Sequence, residues 1–204
     1  MIFMVKKIKK IGLFGGAFNP IHIGHIKMAE AARKEYKLEV VYFIPCGIPP
    51  HKLKQDLLPG MTRYKLVKKA IAKKRCFEVL DIEIKKKKLC YTYDTVKKIS
   101  TVGLGRDLDL YFLLGQDEFE NLQTWKKPNE LAQMVTFLVL PRCRMRSRPC
   151  RSGSCPSRPT TITPPKIQNL KWFLVHTKPI NISSSEIRSI HNNLNQLHYR
   201  KPAD

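Results

Sequence analysis

Two histidines three residues apart, His22 and His25, stand in the run Gly15-Gly16-Ala17-Phe18-Asn19-Pro20-Ile21-His22-Ile23-Gly24-His25. Paired glycines let a backbone turn tightly and approach a phosphate closely. If a helix begins near Ile23, both imidazoles sit at its N-terminus, where free N–H groups and the helix dipole favour an anion. Imidazoles added to such a site suit a triphosphate whose charge grows during group transfer. A second constellation is Ile182-Ser183-Ser184-Ser185-Glu186-Ile187-Arg188. Ser183 and Glu186 have capping-box spacing, which marks a helix start. Arg188 follows within about a turn, and its guanidinium beside hydroxyls and exposed N–H donors makes a second anion site. Two helix N-termini facing one cleft could hold the two ends of a triphosphate. The plainer readings are two ordinary histidines in a turn and a well-capped helix. The placement of the first motif after a strand and before an amphipathic helix favours chemistry there.

The elements that must position these residues follow from the apolar pattern. Lys9 to Gly15 reads as a buried strand, and Gly24 to Tyr36 as a helix in which Ile26, Ala29, Ala32 and Tyr36 recur at three- and four-residue spacing. Glu39 to Ile44 is a second strand, followed by a proline-rich loop from Pro45 to Pro59. Thr62 to Lys74 reads as helix, Phe77 to Ile84 as strand, and Thr92 to Ser100 as a short helix. Leu108 to Gly115, Val135 to Leu140 and Lys171 to His176 complete the strands. Continuous apolar strands need cover on both faces, and their alternation with helices predicts an α/β fold, a Rossmann-like doubly wound parallel sheet. Such sheets bind ligands beyond the carboxyl ends of their strands, which directs attention to the loops after Phe14, Ile44 and Leu114.

At 204 residues the chain fits a single domain, residues 1–204. Residues 142–165 break the pattern. Six of the twelve arginines fall between Arg142 and Arg158, whereas lysine is the dominant base elsewhere. This Arg/Cys/Pro-rich stretch reads as an irregular insertion. The formal net charge of +22 attracts polyanions, phosphorylated small molecules among them. No apolar run is long enough for a membrane helix and no secretory signal is visible, so the expected location is the cytoplasm. Cys46, Cys76 and Cys90 read as reduced, partly buried thiols, and no CxxC pair occurs among the six cysteines.

More of the chain narrows the chemistry. Pro49-Pro50-His51-Lys52, Tyr91-Thr92-Tyr93-Asp94-Thr95, and Leu114-Gly115-Gln116-Asp117 leading to Leu122 and Trp125 accompany the two anion motifs. Over about residues 8–141 and 171–188 this combination resembles the bacterial nicotinate-nucleotide adenylyltransferase family of the HxGH nucleotidyltransferase superfamily. The resemblance implies adenylyl transfer from ATP to nicotinate mononucleotide, giving deamido-NAD and pyrophosphate. It implies no covalent intermediate, and Mg2+ carried by ATP rather than by protein ligands. It assigns His22, His25 and Arg188 to catalysis. Gly15, Gly16, Ala17, Phe18 and Asn19 would line the adenylyl site, Gly115 and Asp117 would meet a ribose, and Ile182, Ser183, Ser184 and Arg188 would bind the phosphate end. Tyr91, Thr92 and Trp125 would receive the pyridine side, with Asp117 shared, and His51 and Lys52 would reach the mononucleotide phosphate. Pantetheine-phosphate adenylyltransferases share the glycine run, the histidine pair and the serines but not the PPHK or YTYDT segments. A basic nucleic-acid-binding protein is the alternative that net charge favours, although no nucleic-acid-binding motif supports it. Monomer and homo-oligomer both remain open.

Overall fold

The computed structural model describes residues 9–48, 57–86, 88–102, 108–141, 162–177 and 187–188. Strands β1 (Lys9–Gly16), β2 (Val40–Pro45), β3 (Phe77–Val79), β4 (Leu108–Gly115), β5 (Thr136–Leu140) and β6 (Trp172–Leu174) form one sheet in the order β3-β2-β1-β4-β5-β6. Every pairing is parallel. The order reverses between β1 and β4, and there the carboxyl ends of an open α/β sheet diverge to leave a crevice.

Side chains alternate along each strand, so the sheet has two cores. Ile11, Leu13, Leu110, Phe112, Leu114, Phe137 and Val139 meet helices α3 (Thr92–Val102) and α5 (Pro128–Met134) through Tyr93, Val96, Ile99 and Leu131. Phe14, Val41, Phe43, Leu113 and Leu138 meet helices α1 (Ile23–Tyr36) and α2 (Gly60–Ile71) through Ile26, Ala29, Ala32, Val67 and Ile71. Burying one such Leu or Ile is worth about 1.5–3 kcal/mol, and β1 and β4 contribute to both cores. The short helix α4 (Gln116–Glu120) and a 3-10 turn (Leu122–Thr124) follow β4 directly.

The predicted alternation of strands and helices holds, with three corrections. The strand expected to run to Ile84 ends at Val79, because the chain turns at residues 82–85 and Lys85 and Lys86 donate back to the carbonyls of Asp81 and Glu83. The helices after β4 escaped the periodicity reading because α4 and α5 span only 5 and 7 residues, too short to display an apolar stripe. The glycine pair does not make the turn after β1. Gly15 and Gly16 are still in the strand, in register with Ile44 and Pro45. The reversal comes at Phe18, whose φ is 45°, and at the cis Asn19–Pro20 bond.

Candidate active site

The glycines serve close packing. A Cβ on Gly15 would lie 2.9 Å from Cζ of Phe112, and one on Gly16 would lie 3.2 Å from the ring of Phe18. Left-handed φ is costly for a bulky residue, and aromatic contacts hold Phe18 there. Its ring packs against Phe14, Phe43 and His25 at centroid distances of 5.4, 5.7 and 5.2 Å.

This turn delivers the chain into α1 with His22 as N-cap, in extended backbone at φ −143° and ψ 170°. The His22 backbone N–H donates to Nδ1 of His25 at 3.2 Å. His25 thereby does what a glutamate does at the third position of a capping box. Accepting at Nδ1 leaves the neutral His25 ring its proton on Nε2, the donor form useful to a phosphate oxygen. Burial, with the neighbouring His22 adding to it, lowers the His25 pKa to about 3, so the ring is neutral at physiological pH. The two imidazoles lie with centroids 3.8 Å apart.

Arg188 is joined to this turn although it is 169 residues away: its Nη1 donates to the Asn19 carbonyl at 2.7 Å. Asn19 is itself buried, and its Oδ1 accepts the Leu58 N–H at 3.0 Å. The two sequence motifs therefore converge at the carboxyl end of β1. Ile182, Ser183 and Ser184 lie outside the described residues, as do His51 and Lys52.

On the opposite face of the sheet, a cavity of about 230 Å³ opens at the carboxyl ends of β1, β2 and β4. Gly15, Ile44 and Gly115 mark those strand ends, and Tyr91, Thr92 and Trp125 form part of the wall. Trp125 also packs edge-on against Phe112 at 6.0 Å, so it serves both core and cavity. Asp117 is not among the lining residues; its carbonyl accepts from Nδ2 of Asn121 at 2.8 Å near the start of α4. Gly15 and Gly16, bare of side chains, separate the histidine pair on one face from this cavity on the other. A larger depression, about 480 Å³, lies at the amino ends of β4 and β5 beside Leu108 and Thr136, the end of a parallel sheet that does not host ligands.

Several residues in and behind the cavity wall have no sequence signal. Lys126 lies 4.9 Å from the Tyr91 ring and is paired with Asp94 at 2.9 Å. Glu83 is 7% exposed, and burial raises its pKa. Its Oε1 accepts from Oγ1 of Thr95 at 2.8 Å and its Oε2 from the Gly47 N–H at 3.4 Å. Arg63, on α2, is 2% exposed and donates to four carbonyls. Nε reaches Leu58 at 2.9 Å and Nη1 reaches Ala17 at 2.7 Å. Nη2 reaches Cys46 at 2.6 Å and Gly47 at 3.2 Å. Helical periodicity marks position 63 as inward-facing, but nothing local says where an inward arginine finds acceptors. Among the described residues, no cluster of three or more His, Cys, Asp or Glu could hold a metal ion.

An open parallel sheet with an imidazole pair at the first helix and a cavity at its switch point defines a nucleotide-binding transferase, and comparison with known proteins agrees. Residues 13–190 match the cytidylyltransferase-like family model. A Shouchella clausii protein named "Probable nicotinate-nucleotide adenylyltransferase" is 37% identical over 181 residues, 89% of this chain and 83% of that one. A Clostridium perfringens protein of the same name is 42% identical over 135 residues, 66% of each chain. The fold is shared with Plasmodium falciparum nicotinic acid mononucleotide adenylyltransferase, solved in complex with NaAD, at a TM-score of 0.67 and 17% identity over 92% of this chain and 89% of that one. The chain belongs to the cytidylyltransferase-like family and, within it, to the nicotinate-nucleotide adenylyltransferases.

Proposed function

We infer that the protein transfers the adenylyl group of ATP to nicotinate mononucleotide, releasing pyrophosphate and forming deamido-NAD. The observation that carries this is the division of the site at Gly15–Gly16. A histidine pair, on a turn whose Asn19 carbonyl is held by Arg188, lies on one side, and an apolar cavity walled by Trp125 and Tyr91 on the other. A phosphate oxygen of the mononucleotide attacks the α-phosphorus of ATP. The bond to the β-phosphate oxygen breaks, and pyrophosphate leaves with the electron pair. Both partners arrive charged, so the protein's work is orientation and stabilisation of charge on the transferring phosphorus.

In this reading, Nε2–H of His25 and the side chain of His22 bind the ATP phosphates. Arg188, with Ile182, Ser183 and Ser184, binds the pyrophosphate end. Gly15 to Asn19 line the adenylyl path, and Gly115 and Asp117 meet a ribose. Trp125, Tyr91 and Thr92 receive the pyridine ring, an indole being a flat surface for stacking. His51 and Lys52 reach the acceptor phosphate. Magnesium enters with ATP, held by its phosphates. The chain works as one nucleotidyltransferase domain in which 142–165 is an insertion, in the cytoplasm, as a monomer or a homo-oligomer. No helix among the described residues is long and apolar enough to cross a membrane.

Pyrophosphate release from Mg-ATP, measured with nicotinate mononucleotide, nicotinamide mononucleotide and phosphopantetheine in parallel, tests the reading. Release fastest with the nicotinate compound is expected. Release only with phosphopantetheine moves the protein to the pantetheine-phosphate branch. A folded, silent sample that binds DNA in a salt-dependent manner replaces the enzyme reading with a nucleic-acid-binding one.

A further inference from the structure

Arginine is almost never fully buried unless its charge is met. Arg63 is buried, and it is absent from the cavity wall, so it cannot touch a substrate there. Its acceptors are distributed in a particular way. Ala17 belongs to the turn after β1. Cys46 and Gly47 begin the segment that leaves β2, and Leu58 ends it just before α2. One planar guanidinium thus fixes both stems of the segment that carries His51 and Lys52, and fixes them against the turn that carries the histidine pair. Leu58 is tied to that turn a second time, through Oδ1 of Asn19.

The Cys46–Gly47 peptide is held from both sides. Its carbonyl accepts from Nη2 of Arg63, and its N–H donates to Oε2 of Glu83. Glu83 is anchored in turn by Thr95 on α3, three residues beyond Thr92. The space is closed: a Cβ on Gly47 would come within 2.4 Å of the Glu83 carbonyl oxygen. A cation, a peptide and a carboxyl in series therefore run from the α2 face of the sheet to the wall of the cavity on the α3 face.

We propose that Arg63 is a positioning residue for the transfer, which acts through the Cys46–Gly47 peptide and Glu83 to set the acceptor's cavity in register with the donor's phosphate site. The proposal rests on the adenylyl-transfer reading. A two-substrate reaction is sensitive to such register, since a displacement of about 1 Å arising away from the chemistry can cost on the order of 100-fold in rate. Lysine cannot substitute, because a compact ammonium lacks the planar fork that reaches four carbonyls at once.

The test measures, on the full chain, the affinity of ATP and of nicotinate mononucleotide each alone by calorimetry, alongside kcat and the folded fraction by circular dichroism. Arg63→Lys is expected to bind each substrate within about threefold of wild type while kcat falls on the order of 100-fold. Unchanged kcat per folded molecule overturns the proposal and leaves Arg63 a brace for folding. Affinities that fall by the same factor as kcat also overturn it, since Arg63 would then build the separate sites. If Arg63→Lys does not fold, Glu83→Met carries the test, because it keeps the side-chain length but removes the oxygen that accepts the Gly47 N–H. It is expected to lower kcat about tenfold while the affinity for ATP, which Glu83 does not face, stays unchanged, and an unchanged kcat overturns the proposal. A wild type silent with nicotinate mononucleotide refutes the functional reading itself; an active wild type with an equally active Arg63→Lys refutes only the positioning role.

Discussion

The turn after β1 and the segment leaving β2 stand side by side at the carboxyl end of the sheet, and both lead to helices on the same face. They are held in place by different means. The first is shaped by its own neighbours: His25 bonds back to His22, and Phe14 and Phe18 pack within four residues of each other. The second is held from a distance, by a guanidinium on α2 and a carboxyl beyond β3. A turn that carries its own contacts can be read as a motif. A segment whose two stems are fixed by remote buried side chains does not show in its own residues what holds it.

If the contrast is sound, damage to the first region should remove chemistry and damage to the second should remove stability or register. His22→Ala is expected to have the largest effect, a fall in turnover of about 10²–10³-fold, as for the loss of one donor at a charge-developing site. Its unfolding free energy should change by less than about 1 kcal/mol in urea titration. Near-normal turnover would take His22 out of the site. Gly47→Ala comes next, since its new Cβ meets a backbone oxygen at 2.4 Å and the Cys90 Sγ at 2.8 Å. Destabilisation of about 1–3 kcal/mol is expected. Gly115→Ala, with nothing within 4 Å of the new Cβ, should stay within about 0.5 kcal/mol; equal losses at both would refute the close packing at Gly47.

The third effect is one of pH. His25 has its pKa lowered from 6.5 to about 3 by burial and by His22. Above pH 6.5 neither the folded nor the unfolded state protonates it. As pH falls from 6.5 towards about 3, the unfolded chain binds a proton that the folded chain refuses, so stability is lost. The slope approaches about 1.4 kcal/mol per pH unit at most. Denaturation across that window should be steeper for wild type than for His25→Asn; parallel curves would mean that the ring is protonated in the fold. Trp125→Ala is expected to be the mildest in turnover, raising KM for the mononucleotide about tenfold while KM for ATP moves less than about twofold, in keeping with the worth of ring stacking on an aromatic side chain. Equal changes in both would make Trp125 a packing residue.

The same contrast sets what was legible in the sequence. The existence of the strands follows from continuous apolar runs such as Leu108–Gly115, and the start of α1 near Ile23 follows from the histidine run. Arg188 was singled out from its own neighbourhood, yet its bond to the Asn19 carbonyl spans 169 residues and was visible only in the fold. The glycine pair was recognised for a reason the structure alters: its smallness admits the rings of Phe112 and Phe18, while Phe18 itself takes the left-handed φ. Arg63 and Glu83 show no role in their own neighbourhood, and the Thr95 of the YTYDT segment shows none as a partner of Glu83, because a buried polar residue is intelligible only once its partners are known.

The most direct test of the central claim follows the phosphorus atoms. Wild-type protein is incubated with nicotinate mononucleotide and Mg-ATP labelled either at the α- or at the γ-phosphate, and the products are separated. Adenylyl transfer at this cleft predicts the α label in deamido-NAD and the γ label in pyrophosphate, in equal amounts. A γ label appearing as free phosphate or on the mononucleotide, or an α label that remains in ATP with folded protein, would contradict it.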